Sequence, residues 1–204
     1  MRDYINIAVL VSGGGTNLQA LIDAQNSGIL KSGKIKIVIS SSLSAYALER
    51  AKKNGIKTAI VSKNDFKTPE ERETELVKII KENNIDLIVL AGYMSILSGN
   101  FTSLFDKRII NIHPSLIPSF CGEGFYGIKV HEAVLKKGVK VTGATVHFVN
   151  EIPDGGEIIM QKAVRVLKHD TPESLQKRVM RLAEWKILPQ AVEYVSKSIL
   201  RKGV

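Results

Sequence analysis

The sequence predicts an α/β fold: a single domain over residues 1–204, built on an open, mostly parallel twisted sheet with helices on both faces. Its N-terminal half is Rossmann-like and its C-terminal part carries an antiparallel strand pair. Three observations carry this reading. Short runs nearly continuous in Ile, Val and Leu alternate with longer amphipathic ones through the first half, as expected for parallel strands covered on both sides. A glycine-rich stretch, Ser12-Gly13-Gly14-Gly15-Thr16-Asn17, joins the first apolar run to the first amphipathic one. Further on, two strand patterns flank Pro153-Asp154-Gly155-Gly156, a composition that turns the chain.

Taken in order, strands are expected at Ile5 to Val11, Ile35 to Ser40, Thr58 to Val61 and Leu87 to Leu90, separated by helices at Asn17 to Asn26, Ala45 to Asn54 and Pro69 to Asn83. A strand at Arg108 to Ile112 leads into a second glycine-rich loop, Cys121 to Gly127, then a helix near Val130 to Lys137. The antiparallel pair is Thr142 to Phe148 with Ile158 to Val166. Thr171-Pro172-Glu173 reads as an N-cap, a proline at the first helical position and an early acid, so a long helix runs from there toward Ser198, bent at Pro189. No repeat or linker suggests a domain boundary.

Composition narrows the function. The 44% hydrophobic content supplies an ordinary core, and no run approaches the ~18 apolar residues of a membrane span. The start, Met1-Arg2-Asp3-Tyr4, leads directly into a strand pattern, so a cytoplasmic protein is expected. Cys121 is the only cysteine, which excludes an internal disulfide framework. A net charge of +9 favours anionic ligands, whether nucleic acid, phosphates or polyanionic cofactors. Against nucleic acid, the lysines and arginines are scattered, with no basic run and no interleaved aromatics.

The chemistry concentrates at Asn111-Ile112-His113-Pro114-Ser115 and at Asp154. Asn111 and His113 are two apart at the end of an apolar run, so on a strand their side chains leave the same face, and Pro114 stops the strand there. Singly, His113 would serve as a hydrogen-bonded strand end and Asp154 as a turn carboxylate. Together, at the carboxyl edge of a parallel sheet, an amide, an imidazole and a carboxylate can polarise a carbonyl and move a proton. His131 and His147 read as structural, and no pair of histidines has zinc-site spacing, so no metal is expected. The Ser12–Asn17 loop stands where backbone amides and a helix dipole hold phosphate. It is neither a dinucleotide fingerprint, since Leu18 takes the third glycine position, nor a Walker loop, since no Gly-Lys-Ser/Thr ending is present.

These motifs, with Ala91-Gly92-Tyr93-Met94 and Gly143-Ala144-Thr145-Val146-His147-Phe148-Val149, closely resemble the folate-dependent formyltransferases, in particular the phosphoribosylglycinamide formyltransferases of purine synthesis, along essentially the whole chain. The resemblance implies transfer of a formyl group from 10-formyltetrahydrofolate to the amine of glycinamide ribonucleotide. It implies that Asn111, a protonated His113 and Asp154 are catalytic and that Gly14, Gly15, Thr16, Asn17 and Glu184 hold the ribonucleotide. It further implies that Met94, Ser95, Ile96, Leu97, Asn150 and Glu151, with Asn111 and Asp154, face the folate. The partners are then small molecules only, without nucleic acid or membrane, for a monomer or homodimer. Ser95 and Pro69 stand where some relatives carry arginines near the folate glutamate tail, Pro153 replaces an aliphatic residue, and the 119–127 loop is longer than in some relatives. Methionyl-tRNA formyltransferase and formyltetrahydrofolate deformylase share the Asn-His-Asp chemistry but would each need a further domain. A nucleotide-binding regulatory module would use the glycine loop without needing the three side chains to meet.

Overall fold

The computed structural model describes residues 3–202. One seven-stranded sheet runs through them: β1 (Ile5–Val11), β2 (Gly33–Ser40), β3 (Lys57–Ile60), β4 (Leu87–Leu90), β5 (Ile109–His113), β6 (Val141–Phe148) and β7 (Ile158–Arg165), in spatial order β3-β2-β1-β4-β5-β6-β7. The first five strands are parallel; β6 runs antiparallel to β5, and β7 antiparallel to β6.

Strand alternation divides the core. On β1, Ile5, Ile7, Val9 and Val11 face one layer, and Ala8 and Leu10 the other. The first layer is closed by α1 (Thr16–Asn26), α2 (Tyr46–Lys53), α6 (Pro172–Val179) and α7 (Trp185–Lys202), with Val134 of α5 (Ile128–Lys137). The second is closed by α3 (Pro69–Glu82) and α4 (Gly99–Leu104). Each fully buried Ile or Leu here contributes roughly 1.5–3 kcal/mol of transfer free energy, which is why β1, buried on both faces, carries almost no polar residue.

The caps follow the side chains available. The Thr68 hydroxyl accepts from Glu71 N–H with Pro69 behind it, and Thr171 forms a reciprocal box with Ser174. Ser98 caps α4, a helix of one and a half turns too short to show an apolar period in the sequence. The C-terminal helix departs from expectation in kind. Its irregularity is a π turn at Met180–Glu184, upstream of Pro189. Pro189 lies only four residues after Trp185, where α7 begins, so the amide it lacks would have served only the first carbonyl of that helix. Among the described residues, no helix is long and apolar enough to cross a membrane.

Candidate active site

A cleft of about 800 Å³ opens on the face of β5 and gathers the side chains of Asn111, His113, Asp154, Asn17 and Glu184. Asn111 and His113 are there by strand alternation. Asp154 reaches them from the β6–β7 turn, with its own backbone at φ 56°, a left-handed conformation that Asp tolerates better than most residues. Gly156 closes that turn against β6: a Cβ there would lie 1.8 Å from the Phe148 carbonyl oxygen, so the chain can return over β5 only with glycine at this point.

The polar contacts form one network. His113 Nδ1 lies 3.3 Å from Asp154 Oδ2, and its Nε2 lies 2.9 Å from the Phe120 carbonyl oxygen. Gly122 N–H donates to Asp154 Oδ2 at 2.9 Å, so the long 119–127 loop is docked onto the carboxylate. The Asn111 amide nitrogen lies 3.4 Å from Asp154 Oδ1 and 3.2 Å from His147 Nε2. His147, whose alternation in the strand reads as structural, therefore belongs to this cluster. It is the direct partner of Asn111 in the β5–β6 pairing, a neighbour set by register rather than by any sequence spacing. Because a carbonyl can only accept, the 2.7 Å contact of His147 Nδ1 with Phe148 O places a proton on Nδ1, while Nε2 faces both the Asn111 amide and, at 3.5 Å, Asp154 Oδ1.

Electrostatics separate the groups. Burial pushes His113 below its ordinary 6.5, outweighing the opposing pull of Asp154 and the Phe120 carbonyl. Burial thus favours the neutral form of the resting ring, and a neutral ring has a proton for only one of the two acceptors around it. For Asp154, burial would raise the carboxyl. The His147 hydrogen bond, the neighbouring His113 and the Gly122 amide together pull it below its ordinary value, so it is ionised. His131, on α5, is fully buried beside the cleft with no hydrogen-bond partner at either nitrogen. Burial and its neighbour His113 hold it at about 4, neutral.

At the other end of the cleft, the Asn17 amide donates to Glu184 Oε2 at 2.7 Å. Glu184 is the last residue of the π turn, whose wider winding re-aims side chains relative to the preceding helix. Burial raises its carboxyl to about 7, against the opposing hydrogen bond from Asn17. Asn17 follows the glycine turn, in which Gly15 takes φ 70° as the N-cap of α1 and packs so tightly that a Cβ would lie 2.6 Å from that of Ala47. Gly14 is exposed, and Thr16 borders a neighbouring recess of about 510 Å³ with Arg50 and Trp185.

Of the residues expected to face folate, Met94, Ser95 and Ile96 line the cleft, as do Gly92, Tyr93 and Pro153. Leu97 does not: it is buried in the layer beneath α3 and α4. Asn150 and Glu151 border a separate recess of about 250 Å³ beside α4, because the turn swings inward only from Pro153. Residues 93–98 are held from behind by α3. Arg72, itself buried, donates through Nη1 to Ser95 Oγ at 3.3 Å, and Glu73 accepts from Ser98 N–H at 2.7 Å.

An open α/β sheet with an amide, two imidazoles and an ionised carboxylate converging beside a glycine turn defines a site equipped for proton transfer and charge stabilisation. The chain belongs to the formyl transferase family, whose model matches residues 5–192. It is 40% identical to a phosphoribosylglycinamide formyltransferase of Haemophilus influenzae, over 96% of this chain and 89% of that protein. It is 44% identical to the bovine trifunctional purine biosynthetic protein adenosine-3 over 97% of this chain, which spans 19% of that protein's length. Among solved structures, glycinamide ribonucleotide transformylase 1 of Symbiobacterium toebii superposes with a TM-score of 0.90 at 38% identity, covering 97% of this chain and 90% of the other.

Proposed function

We propose that this chain transfers the formyl group of 10-formyltetrahydrofolate to the amine of glycinamide ribonucleotide, acting as one formyltransferase domain in purine synthesis. The observation that carries the reading is the meeting of Asn111, His113 and Asp154 in the same cleft as the Asn17–Glu184 pair. Chemistry and substrate recognition thus share one space. At about 800 Å³, the cleft is in the size range of small-molecule sites.

In this reading the amides of Gly14 to Asn17 and the α1 dipole hold the ribonucleotide phosphate, and Glu184 contacts the same substrate. Met94, Ser95 and Ile96 flank the folate. The Asn111 amide turns from its long contacts with Asp154 and His147 to the formyl oxygen, a change made easy because bonds of 3.2 and 3.4 Å are weak. One such donor on a developing oxyanion is worth about 2.7–4 kcal/mol. His113 starts neutral and, because both ring nitrogens face protein acceptors, turns one of them into the cleft to take up the proton of the attacking amine. The imidazolium so formed satisfies both acceptors around the ring, the Asp154 carboxylate and the Phe120 carbonyl. The proton then passes to the leaving nitrogen.

The test is a formyl-transfer assay with glycinamide ribonucleotide, initiator methionyl-tRNA and water as competing acceptors. Turnover with the ribonucleotide alone is the expected result. Transfer to the tRNA, or hydrolysis only, would replace this reading with that of a sister activity in the family.

A further inference from the structure

Three loops leave the carboxyl ends of β2, β1 and β4, which lie side by side in the sheet. The middle loop begins with Ser12, whose Oγ accepts the backbone N–H of Met94 at 2.9 Å and lies 2.6 Å from Ser41 Oγ. A hydroxyl offers one proton and two lone pairs, so Ser12 can bind both neighbours at once and tie the three loops together. Ser12 directly precedes the turn assigned above to the ribonucleotide phosphate, and Met94 is the first of the residues assigned to the folate. One oxygen thus joins the two substrate loops.

Resting on that functional reading, we propose that Ser12 is a positioning residue that couples the two substrates, so that ribonucleotide held at the glycine turn tightens folate binding beside Met94. The turn is suited to transmit occupancy. Gly13 and Gly14 are exposed, and a Cβ on either would meet nothing within 4 Å; their carbonyls are held by Ala47 N–H at 3.1 Å and Arg50 Nε at 2.9 Å, so an anion gathering their amides would complete the restraint from the other side. Restraining the turn restrains the residue from which it starts. The Ser12 oxygen then holds the Met94 amide, and with it the near side of the 93–98 loop, whose far side Arg72 and Glu73 already hold. By linkage, folate must tighten ribonucleotide binding by the same factor.

The experiment measures tetrahydrofolate affinity by calorimetry with and without saturating glycinamide ribonucleotide. No formyl group is present, so nothing turns over. In the unsubstituted protein the ribonucleotide should tighten folate about fivefold or more, the worth of one ordinary hydrogen bond. Ser12→Ala should bring that ratio close to one, and Ser12→Thr, which keeps the hydroxyl, should restore it, with both variants melting near the unsubstituted midpoint. A ratio preserved in folded Ser12→Ala would overturn the coupling. So would a ratio of one in the unsubstituted protein, a measurement that needs no variant to fold. Failure of the unsubstituted protein to bind either ligand, or to transfer formyl, would instead sink the functional reading beneath it.

Discussion

Asp154 and Glu184 line one cleft, yet their surroundings drive them in opposite directions. Burial opposes charge on both. Asp154 answers it with the Gly122 amide and two histidines, and stays ionised; Glu184 has one amide from Asn17, and rises to about 7. Glu184 is also the more deeply buried of the two, so donor number and depth act together to separate their charges. The Asp154 end is built to keep a fixed negative charge beside a ring that will gain a proton. The Glu184 end holds a group that changes charge near neutrality.

The sharpest test of this contrast is at the charged end. His113→Ala should lower kcat by about 10²–10⁴-fold with little change in either KM, the signature of an interaction made mainly in the transition state. Near-wild-type turnover in the folded variant would end the assignment. Asp154→Asn should cost about 10²–10³-fold in kcat, since it removes the charge that stabilises the imidazolium while Asn accepts the same left-handed backbone. The double variant should be scarcely slower than the worse single one, because one proton path is shared; additive losses would show that the two act separately.

A smaller effect should come from geometry alone. Gly156→Ala forces the turn away from Phe148 O, so kcat should fall about tenfold and the thermal midpoint by several degrees. An unchanged melting curve and rate would show that the turn has slack which the 1.8 Å approach denies.

The smallest effect belongs to Glu184→Gln, which keeps an acceptor for Asn17 and removes the titration. It should change the ribonucleotide KM by only a few fold while flattening its pH dependence around 7. Stability supplies a second readout of opposite sign at the two ends. The folded value of Glu184 is raised, so its contribution is full below about 4.5 and is lost as pH rises toward about 7. That of Asp154 is lowered, so its contribution is present above 3.8 and is lost as pH falls through its folded value. Melting curves of Glu184→Gln and Asp154→Asn against pH should therefore diverge from the unsubstituted protein in opposite directions; parallel behaviour would refute the comparison.

What the sequence could and could not reveal follows from range. β1 and β4 were legible to the residue because the first is an apolar run broken only by Asn6 and the second is wholly apolar, and Asn111 and His113 because a two-residue spacing on a strand is local. His147 was not, since its role comes from the antiparallel register that sets it opposite Asn111, a relation across 36 positions. The resting charge of His113 was also hidden: the sequence supplies its partner, Asp154, but not the burial that outweighs it. Motif resemblance likewise placed Leu97, Asn150 and Glu151 beside the cleft residues along the chain. The core beneath α3 and α4, and the late inward swing of the turn, carry them elsewhere.

The π turn before α7 has a consequence for what lengths of chain this fold will accept. Five residues, Met180–Glu184, wind more widely than an α-helix, and beyond them Leu188, Ala191, Val192 and Val195 pack into the core. Five residues in π winding turn the chain about as far as four residues of α-helix, so deleting one of the five would let the helix run on as α with the later residues still facing the same side of α6. The apolar stripe of α7 and the buried stripe of α6, with Leu175 and Val179, would then still share a side, and what would be lost is the wider winding that aims Glu184 into the cleft. Substitutions in this turn change one side chain at a time, whereas the loss of a single residue would separate the presentation of Glu184, which it disturbs, from the packing of the longest helix, which it spares.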